Sequence, residues 1–335
     1  MPSHSLSLFS RLVTFSLVLS FALIVLSSLM RLSNQGLGCD DWPDCYGRVD
    51  IVKYAGDMDV SASRGLQPGA LAPPTVVERA HRGVASLLLV FILAFVIVAW
   101  RKRKDSGPAM FLPFAALFVT LFLAVLGVLY GSPLLRPPVV MANLLGGMIL
   151  LGLLWWLYLS QRRRPAGEGA PEAGSLRKWA LIGLALVVMQ TALGGWVSSN
   201  FSALACSTFP FCNGAEMNIA AGFTLRPLLD VTPEGQVIVG QAATTAIHVV
   251  HRLGALLVLL FVGWLGYRLL KQGTRLRGLG MAILVLLGLQ VVLGVATVIF
   301  SSPLGLVVTH NATAALLWLA LLALIHRLPQ TPARQ

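Results

Sequence analysis

The stretch HVVHR at residues 248–252 opens a long apolar run, and the stretch ERAHR at residues 78–82 opens an earlier one. Each places a histidine where a membrane-spanning helix is predicted to begin. Ionisable side chains are costly inside a bilayer, and those found there usually serve a function. The two stretches differ in that Glu78 in the first copy corresponds to His248 in the second. This difference is the first indication of where chemistry occurs.

The composition of the chain predicts an integral membrane protein. Of its 335 residues, 56% are hydrophobic and only 11% are charged, whereas soluble domains are about 25% charged. The net charge of +12 comes from lysines and arginines that lie in short tracts between apolar runs. Such tracts are typical of cytoplasmic membrane loops. We therefore expect no nucleic-acid partner.

Eight apolar runs have the length of a membrane span, which needs roughly 20 residues to cross a bilayer core of about 30 Å. They lie near residues 12–32, 83–100, 109–130, 138–160, 178–198, 249–269, 280–300 and 305–325. The first run has a counterpart later in the chain, so we predict a mature helix there and not a signal peptide. Most lysines and arginines fall in one alternating set of loops. Both termini are therefore predicted to be cytoplasmic, and the long loops near 33–80 and 199–246 to face outward.

The two halves of the chain repeat one another. The matches, in the same order in each half, are CDDWPDC (39–45) with CSTFPFC (206–212), ERAHR with HVVHR, Ser132-Pro133 with Ser302-Pro303, and Val139-Val140 with Val307-Val308. They indicate an internal duplication. We predict an all-α fold of two tandem four-helix bundles, residues 1–164 and 178–335, joined by a cytoplasmic linker at 165–177. Four helices in each copy give both copies one orientation, related by a pseudo-twofold axis along the membrane normal.

Two histidines of the second half could hold a metal between helices. His251 stands at the start of the sixth predicted helix, and His310 lies just inside the eighth, at similar depth. Histidines from facing helices of a four-helix bundle can hold haem iron from both axial sides. The alternative is that each is a hydrogen-bonded bundle histidine. The matched depth in a duplicated bundle favours haem ligation.

Glu78 and His81 give the first half a different character. They are three residues apart, so on a helix both point to one face. A carboxylate beside a metal site can transfer protons or stabilise a developing positive charge. It can also simply favour a helix N-terminus. Because His248 fills this position in the second half, the fold does not require a carboxylate, and we predict a functional role for Glu78.

An arginine follows each motif histidine, and a glutamine recurs in each of two other helices. Arg82 and Arg252 either extend to the membrane interface or pair with the propionates of a bound haem, for which a guanidinium fork is suited. Gln190 and Gln290 recur in the pattern Gln-x-x-Leu-Gly. They are predicted to form hydrogen bonds between helices.

The four cysteines form two closely spaced pairs in the loops predicted to face outward. Local disulfides, Cys39–Cys45 and Cys206–Cys212, are the leading interpretation on the oxidising side of a membrane. A thiol–disulfide redox role is the alternative. The chain has no CxxCH motif, so covalent attachment of haem is not indicated.

Taken together, these features resemble the haem A synthase family. The shared features are eight helices in duplicated halves, Glu-x-x-His-Arg opening the second helix, His-Arg opening the sixth, a histidine entering the eighth, and outward cysteine pairs. The segment GLGCDDWPDC at residues 36–45 is also similar to the first outer loop of that family. The resemblance covers nearly the whole chain.

The resemblance implies an enzyme that oxidises the C8 methyl group of haem O to the formyl group of haem A, for cytochrome oxidase. It implies that the second half holds haem B as a cofactor, with His251 and His310 as iron ligands and Arg252 beside them. It also implies the disulfide between Cys39 and Cys45. The implied location is the bacterial cytoplasmic (inner) membrane.

The resemblance further implies that the first half binds haem O, with Glu78 and His81 as catalytic residues, His81 as iron ligand and Arg82 nearby. One position departs from the family pattern, because Asn143 stands where a histidine usually enters the fourth helix. Asparagine is a poor iron ligand. Either haem O is bound through His81 alone, with an open axial position, or the first half has lost activity. The presence of Glu78, His81 and Arg82 favours the first interpretation.

The expected partners are haem O, haem A, membrane lipid, a haem O synthase and the cytochrome oxidase assembly machinery, and a homo-oligomer remains open. An alternative function is a membrane haem-binding electron carrier or oxidase assembly factor without methyl oxidation. A transporter built on a repeat would need a polar path at the membrane midplane. The predicted helices carry little charge at that depth, which disfavours a transporter.

Overall fold

The structure is a computed structural model that describes residues 8–34, 76–101, 111–129, 136–162, 173–212, 216–225, 229–231 and 237–328. Eight long helices account for most of these residues. They are α1 (Leu8–Asn34), α2 (Val76–Arg101), α3 (Phe111–Leu129), α4 (Arg136–Ser160), α5 (Ala173–Ser199), α6 (Gln241–Leu270), α7 (Thr274–Ile299) and α8 (Leu304–Arg327).

The long helices make this a multi-pass membrane protein, as predicted. Seven of them are long and apolar enough to cross a membrane, and α3 contributes a shorter apolar segment, Phe111–Gly127. The full α3 has 19 residues, which at 1.5 Å per residue is close to the thickness of a bilayer core. The orientation of the termini and loops stays a prediction.

Each set of four consecutive helices packs in a ring. In the first set α1 contacts α2, α2 contacts α3, α3 contacts α4, and α4 contacts α1. The helices α5 to α8 repeat this order of neighbours. The two sets meet where α4 contacts α5 and α8, and where α8 contacts α1. Consequently α2 and α4 stand at opposite corners of one ring, and α6 and α8 at opposite corners of the other.

Two hydrophobic cores follow from this packing. One is built from α1 to α4 and includes Leu88, Phe95 and Leu154. The other is centred on α5 to α8 and also takes in Ile24 of α1 and Met148 of α4. The second core therefore extends across the contact between the two rings, which ties the halves together by burial of apolar side chains.

Four details differ from the predictions. An antiparallel pair of short strands, Leu229–Val231 with Val237–Val239, lies in the second long loop, where no strands were predicted, whereas the membrane-spanning part is all-α as predicted. A single helical turn at Ile219–Gly222 precedes this pair. The helix α5 begins at Ala173, inside the predicted linker, and α6 begins at Gln241, so His251 lies well inside its helix and not at its start.

Candidate functional site

Four positions, one on each of α2, α4, α6 and α8, share the same relation to the buried core. They are His81, Asn143, His251 and His310. The residues seven, eleven and fourteen places after each of them are all buried: Leu88, Ile92 and Phe95; Leu150, Leu154 and Leu157; Val258, Val262 and Leu265; Leu317, Leu321 and Leu324. These spacings return to one face of a helix. All four side chains therefore lie on the core-facing sides of their helices.

Contacts between the two rings support the same pairing of helices. Leu144 of α4 packs on Gly195 of α5, where an added Cβ would lie 2.5 Å from the leucine Cδ2. Asn311 of α8 donates from Nδ2 to Ser28 Oγ of α1 at 2.5 Å. Ser28 and Gly195 are equivalent positions, because they lie equally far before the first cysteine of their halves. Their partners, Asn311 and Leu144, are therefore equivalent too, which makes Asn143 the counterpart of His310. The sequence match between the valine pairs that open α4 and α8 is therefore one residue out of register.

His251 and His310 face each other from opposite corners of the second ring. His310 Nδ1 is buried and has no hydrogen-bond partner among the described residues. Leaving a buried polar atom unpaired is costly, and coordination of iron would use the lone pair of a neutral imidazole nitrogen. This pair can hold a metal between two helices.

A glutamine on the neighbouring helix faces each of these histidines. Gln190 Nε2 of α5 lies 3.0 Å from His251 Nδ1 and donates to the His251 carbonyl oxygen, also at 3.0 Å. Gln290 Nε2 of α7 lies 3.5 Å from His310 Nε2. The prediction that Gln190 bonds to another helix is confirmed. Its partner, a candidate iron ligand, makes it a site residue that the sequence did not reveal.

The first half has less around its histidine. His81 is half-buried, and Asn143 on the opposite corner is half-buried too. Glu78 lies in the first turn of α2, three residues before His81, and its side chain is half-buried. Arg82 is exposed. A carboxylate, an imidazole and an amide thus lie at one end of this ring.

Arg252 forms hydrogen bonds that connect the second cysteine loop to α6. Its terminal nitrogens donate to the carbonyl oxygens of Cys206 at 2.6 Å and Thr208 at 2.7 Å. Its Nε is buried and has no hydrogen-bond partner among the described residues. The loop therefore occupies both terminal nitrogens, and the Nε–H is left for another acceptor. The role of Arg252 in binding haem stays a prediction.

His248 also holds the loop that follows α5. Its side chain is buried, and its Nδ1–H donates to the Ser202 carbonyl oxygen at 2.8 Å. The position that carries Glu78 in the first half is thus committed to backbone contacts in the second.

The predicted disulfide between Cys206 and Cys212 is confirmed, with the two Cα atoms 5.2 Å apart. Cys39 and Cys45 lie outside the described residues. In the described part of the chain, no group of three or more histidine, cysteine, aspartate or glutamate side chains could hold a bare metal ion. The paired histidines instead suit a metal that brings its own equatorial ligands, as haem iron does.

One known protein family matches nearly the whole chain. Residues 10–322 match the COX15-CtaA family model, described as cytochrome oxidase assembly protein. The chain belongs to this family. The resemblance seen in the sequence is thereby confirmed over nearly the full length.

Individual relatives are similar over most of this chain. A "Heme A synthase" from Shewanella oneidensis is 35% identical, with 93% of this chain and 94% of that protein covered. A "Heme A synthase" from Methylobacterium nodulans is 27% identical, with 89% and 86% covered. A "Protoheme IX farnesyltransferase" from Thermus thermophilus is 26% identical, and the match covers 87% of this chain but 43% of that protein.

Proposed function

We propose that the chain is a haem A synthase, an enzyme that oxidises the C8 methyl group of haem O to the formyl group of haem A. The observation that carries the proposal is the unequal use of four equivalent positions. Three of them hold histidine and the fourth holds Asn143, and only the first half adds a carboxylate, Glu78, one turn before its histidine. The family match and the names of the relatives support this activity.

The second half is the site of the haem B cofactor in this proposal. His251 and His310 would ligate the iron from two sides, and the unpartnered Nδ1 of His310 fits that role. The Nε–H of Arg252 fits a propionate carboxylate, since hydrogen bonds between charged donors and acceptors are strong. Bound there, haem B supplies one-electron transfer.

The first half is the substrate site. His81 would hold the iron of haem O from one side, and Arg82 would pair with a propionate. Asn143 offers no strong iron ligand opposite His81, which leaves one axial position open. Conversion of a methyl to a formyl group replaces two hydrogen atoms by one oxygen atom and is a four-electron oxidation of that carbon, so it needs an external electron acceptor. Glu78 would stabilise positive charge that develops at that carbon, or accept a proton from it.

The proposal includes the arrangement of the halves in the membrane. The repeated order of helix contacts and the four equivalent positions support two tandem four-helix bundles, 1–164 and 178–335, related by a pseudo-twofold axis along the membrane normal. The bacterial origin of the relatives supports the cytoplasmic membrane as the location. Both termini would face the cytoplasm and both cysteine loops the outside.

The comparisons also support a partner. One relative carries a region similar to most of this chain within a longer protein named for transferring a farnesyl group to protohaem. Joining the two regions in one chain would deliver the farnesylated haem to the enzyme that oxidises it. We therefore propose that a haem O synthase and the cytochrome oxidase assembly machinery act before and after this enzyme.

The proposal is tested by co-expression with a source of haem O and extraction of the pigments. The unsubstituted chain should form haem A. Glu78→Gln should keep its bound haem but lower haem A formation by roughly 10²-fold or more, as for loss of a general acid or base. Arg79→Gln, one residue away and exposed, is the control and should form haem A normally.

Two results would contradict the proposal. Normal haem A formation by Glu78→Gln would remove the role of the carboxylate. No haem A from the unsubstituted chain, with haem still bound, would instead favour an electron carrier or assembly factor without methyl oxidation.

A further inference from the structure

Gln190 and Gly194 together enclose the ring of His251. They stand one turn apart on α5, so they share a face of the helix. The amide lies 3.0 Å from His251 Nδ1, and a Cβ added at Gly194 would lie 3.2 Å from His251 Cε1. The amide itself fits only because residue 254 is glycine, where an added Cβ would stand against Gln190 Oε1. The imidazole is thus held by one polar and one steric contact.

Gln290 and Gly294 repeat this arrangement on α7. Gln290 Nε2 lies 3.5 Å from His310 Nε2, and a Cβ added at Gly294 would lie 3.3 Å from His310 Cε1. The amide oxygens of Gln190 and Gln290 are both buried without a hydrogen-bond partner among the described residues. A half turn about the last side-chain bond exchanges the amide N and O positions. Each oxygen then accepts the N–H of a histidine whose other nitrogen ligates iron, and at Gln190 this bond replaces the one to the His251 carbonyl oxygen.

Leucines occupy the corresponding positions in the first half. Gln190 and Gln290 stand three residues after the buried Val187 and Leu287. In the first half the equivalent buried residues are Ser20 and Thr120, and Leu23 and Leu123 stand three residues after them. Both leucines pack against the first hydrophobic core. Neither can accept a hydrogen bond from an imidazole.

This difference has a known physical consequence at metal sites. A partner that accepts the second N–H of a ligating histidine fixes the tautomer and the ring orientation and raises the basicity of the ligand. Loss of such a partner typically lowers metal affinity by about 10- to 100-fold. A site with the partner should keep its haem, and a site without it should release haem more readily.

Building on the proposed function, we propose that Gln190 and Gln290 are positioning residues that make the second half the site of the resident haem. Leu23 and Leu123, at the same positions, leave the first half able to exchange haem O for haem A. The two halves would then differ in haem retention through residues that do not touch the iron.

The test measures haem release and midpoint potential in the full chain carrying His81→Ala, so that the second half is observed alone. An excess of apomyoglobin captures released haem. Gln190→Leu and Gln290→Leu should each speed release by about 10- to 100-fold and raise the potential, because a less basic ligand stabilises ferric iron less. Gln190→Glu and Gln290→Glu keep an acceptor oxygen, so they should retain haem and lower the potential. A purely structural role would not shift the potential in opposite directions.

The matched controls lie on the same helices. Gly288→Ala on α7 adds a methyl group with no atom within 4 Å and should leave both readouts unchanged, whereas Gly294→Ala should disturb them. Met189→Leu serves the same purpose on α5, where Met189 is exposed beside Gln190. The reciprocal change, Leu23→Gln in a chain carrying His251→Ala, should slow haem release from the first half.

The outcomes separate this inference from the proposed function. Unchanged haem B content in His251→Ala and His310→Ala would overturn the haem B site itself. Loss of haem B in those variants, with wild-type release and potential in all four glutamine variants, would overturn only the role of the glutamines.

Discussion

Asn143 is the residue at which the two halves differ most in their ability to hold iron. It occupies the position of His310 relative to the buried core, but its amide is a weak ligand for iron. We expect Asn143→His to supply the missing axial ligand and convert the haem of the first half to a six-coordinate, low-spin form. Electron paramagnetic resonance of the purified variant measures this. Because histidine is the residue that the family usually carries there, haem A formation should be retained.

Ala142→His is the matched control for this prediction. It places the same imidazole one residue earlier, about 100° around the helix, away from the core-facing side of α4. It should leave the spin state unchanged. If Ala142→His gave a low-spin haem and Asn143→His left the haem unchanged, Ala142 would be the counterpart of His310. The register given by the valine pairs would then be correct. The same high-spin haem in both variants would contradict an open axial position opposite His81.

The sequence predicted the type of site but not all of its members. Histidines at membrane depth and a carboxylate three residues before one of them identified Glu78, His81, His251 and His310 as candidates. Gln190 could be predicted only as an interhelical hydrogen bond, because its partner lies 61 residues away and which helices adjoin is not encoded locally. A one-residue shift in register is also invisible without the phase of burial along each helix.

At the scale of elements, α6 shows why the helix boundaries were predicted less well than the helices. The prediction began at residue 249, where the apolar run begins, but α6 starts at Gln241. Its first turns include the buried Thr244, Thr245 and His248. Membrane hydropathy detects the part that must avoid water. It does not detect a helical extension that packs against a loop through polar contacts.

Arg252 gives this extension a testable role. Its guanidinium donates to two carbonyl oxygens of the cysteine loop, which a lysine cannot reproduce with the same fork geometry. Arg252→Lys should lower the free energy of unfolding by about 1–3 kcal/mol and let the Cys206–Cys212 disulfide be reduced faster. Alkylation of the free thiols under a mild reductant, followed by mass spectrometry, measures the rate. Arg268→Lys, at the other end of α6, should behave as the unsubstituted chain; equal rates in both variants would show that the Arg252 contacts do not protect the disulfide.

At the scale of the whole molecule, the two rings are joined by more than the linker between them. Asn311 reaches Ser28 across the contact between α8 and α1, and Trp155 donates to the Leu319 carbonyl oxygen between α4 and α8 at 2.9 Å. The second hydrophobic core includes side chains of α1 and α4. The halves should therefore unfold together, although their substrate and cofactor roles differ.

The pseudo-twofold arrangement also predicts which side of the membrane each loop occupies. Four long helices in each half return the chain to the side on which the half began, so corresponding loops of the halves share one side. The lysine- and arginine-rich turn between α6 and α7 should be cytoplasmic and the second cysteine loop outside.

A membrane-impermeant maleimide applied to intact spheroplasts should label Thr224→Cys, which is exposed in that loop. Lys271→Cys, exposed in the turn after α6, should be labelled only after lysis, with the unsubstituted chain giving the background. Labelling of Lys271→Cys in intact spheroplasts, with Thr224→Cys protected, would invert the orientation and place the candidate haem ends of both halves on the cytoplasmic side.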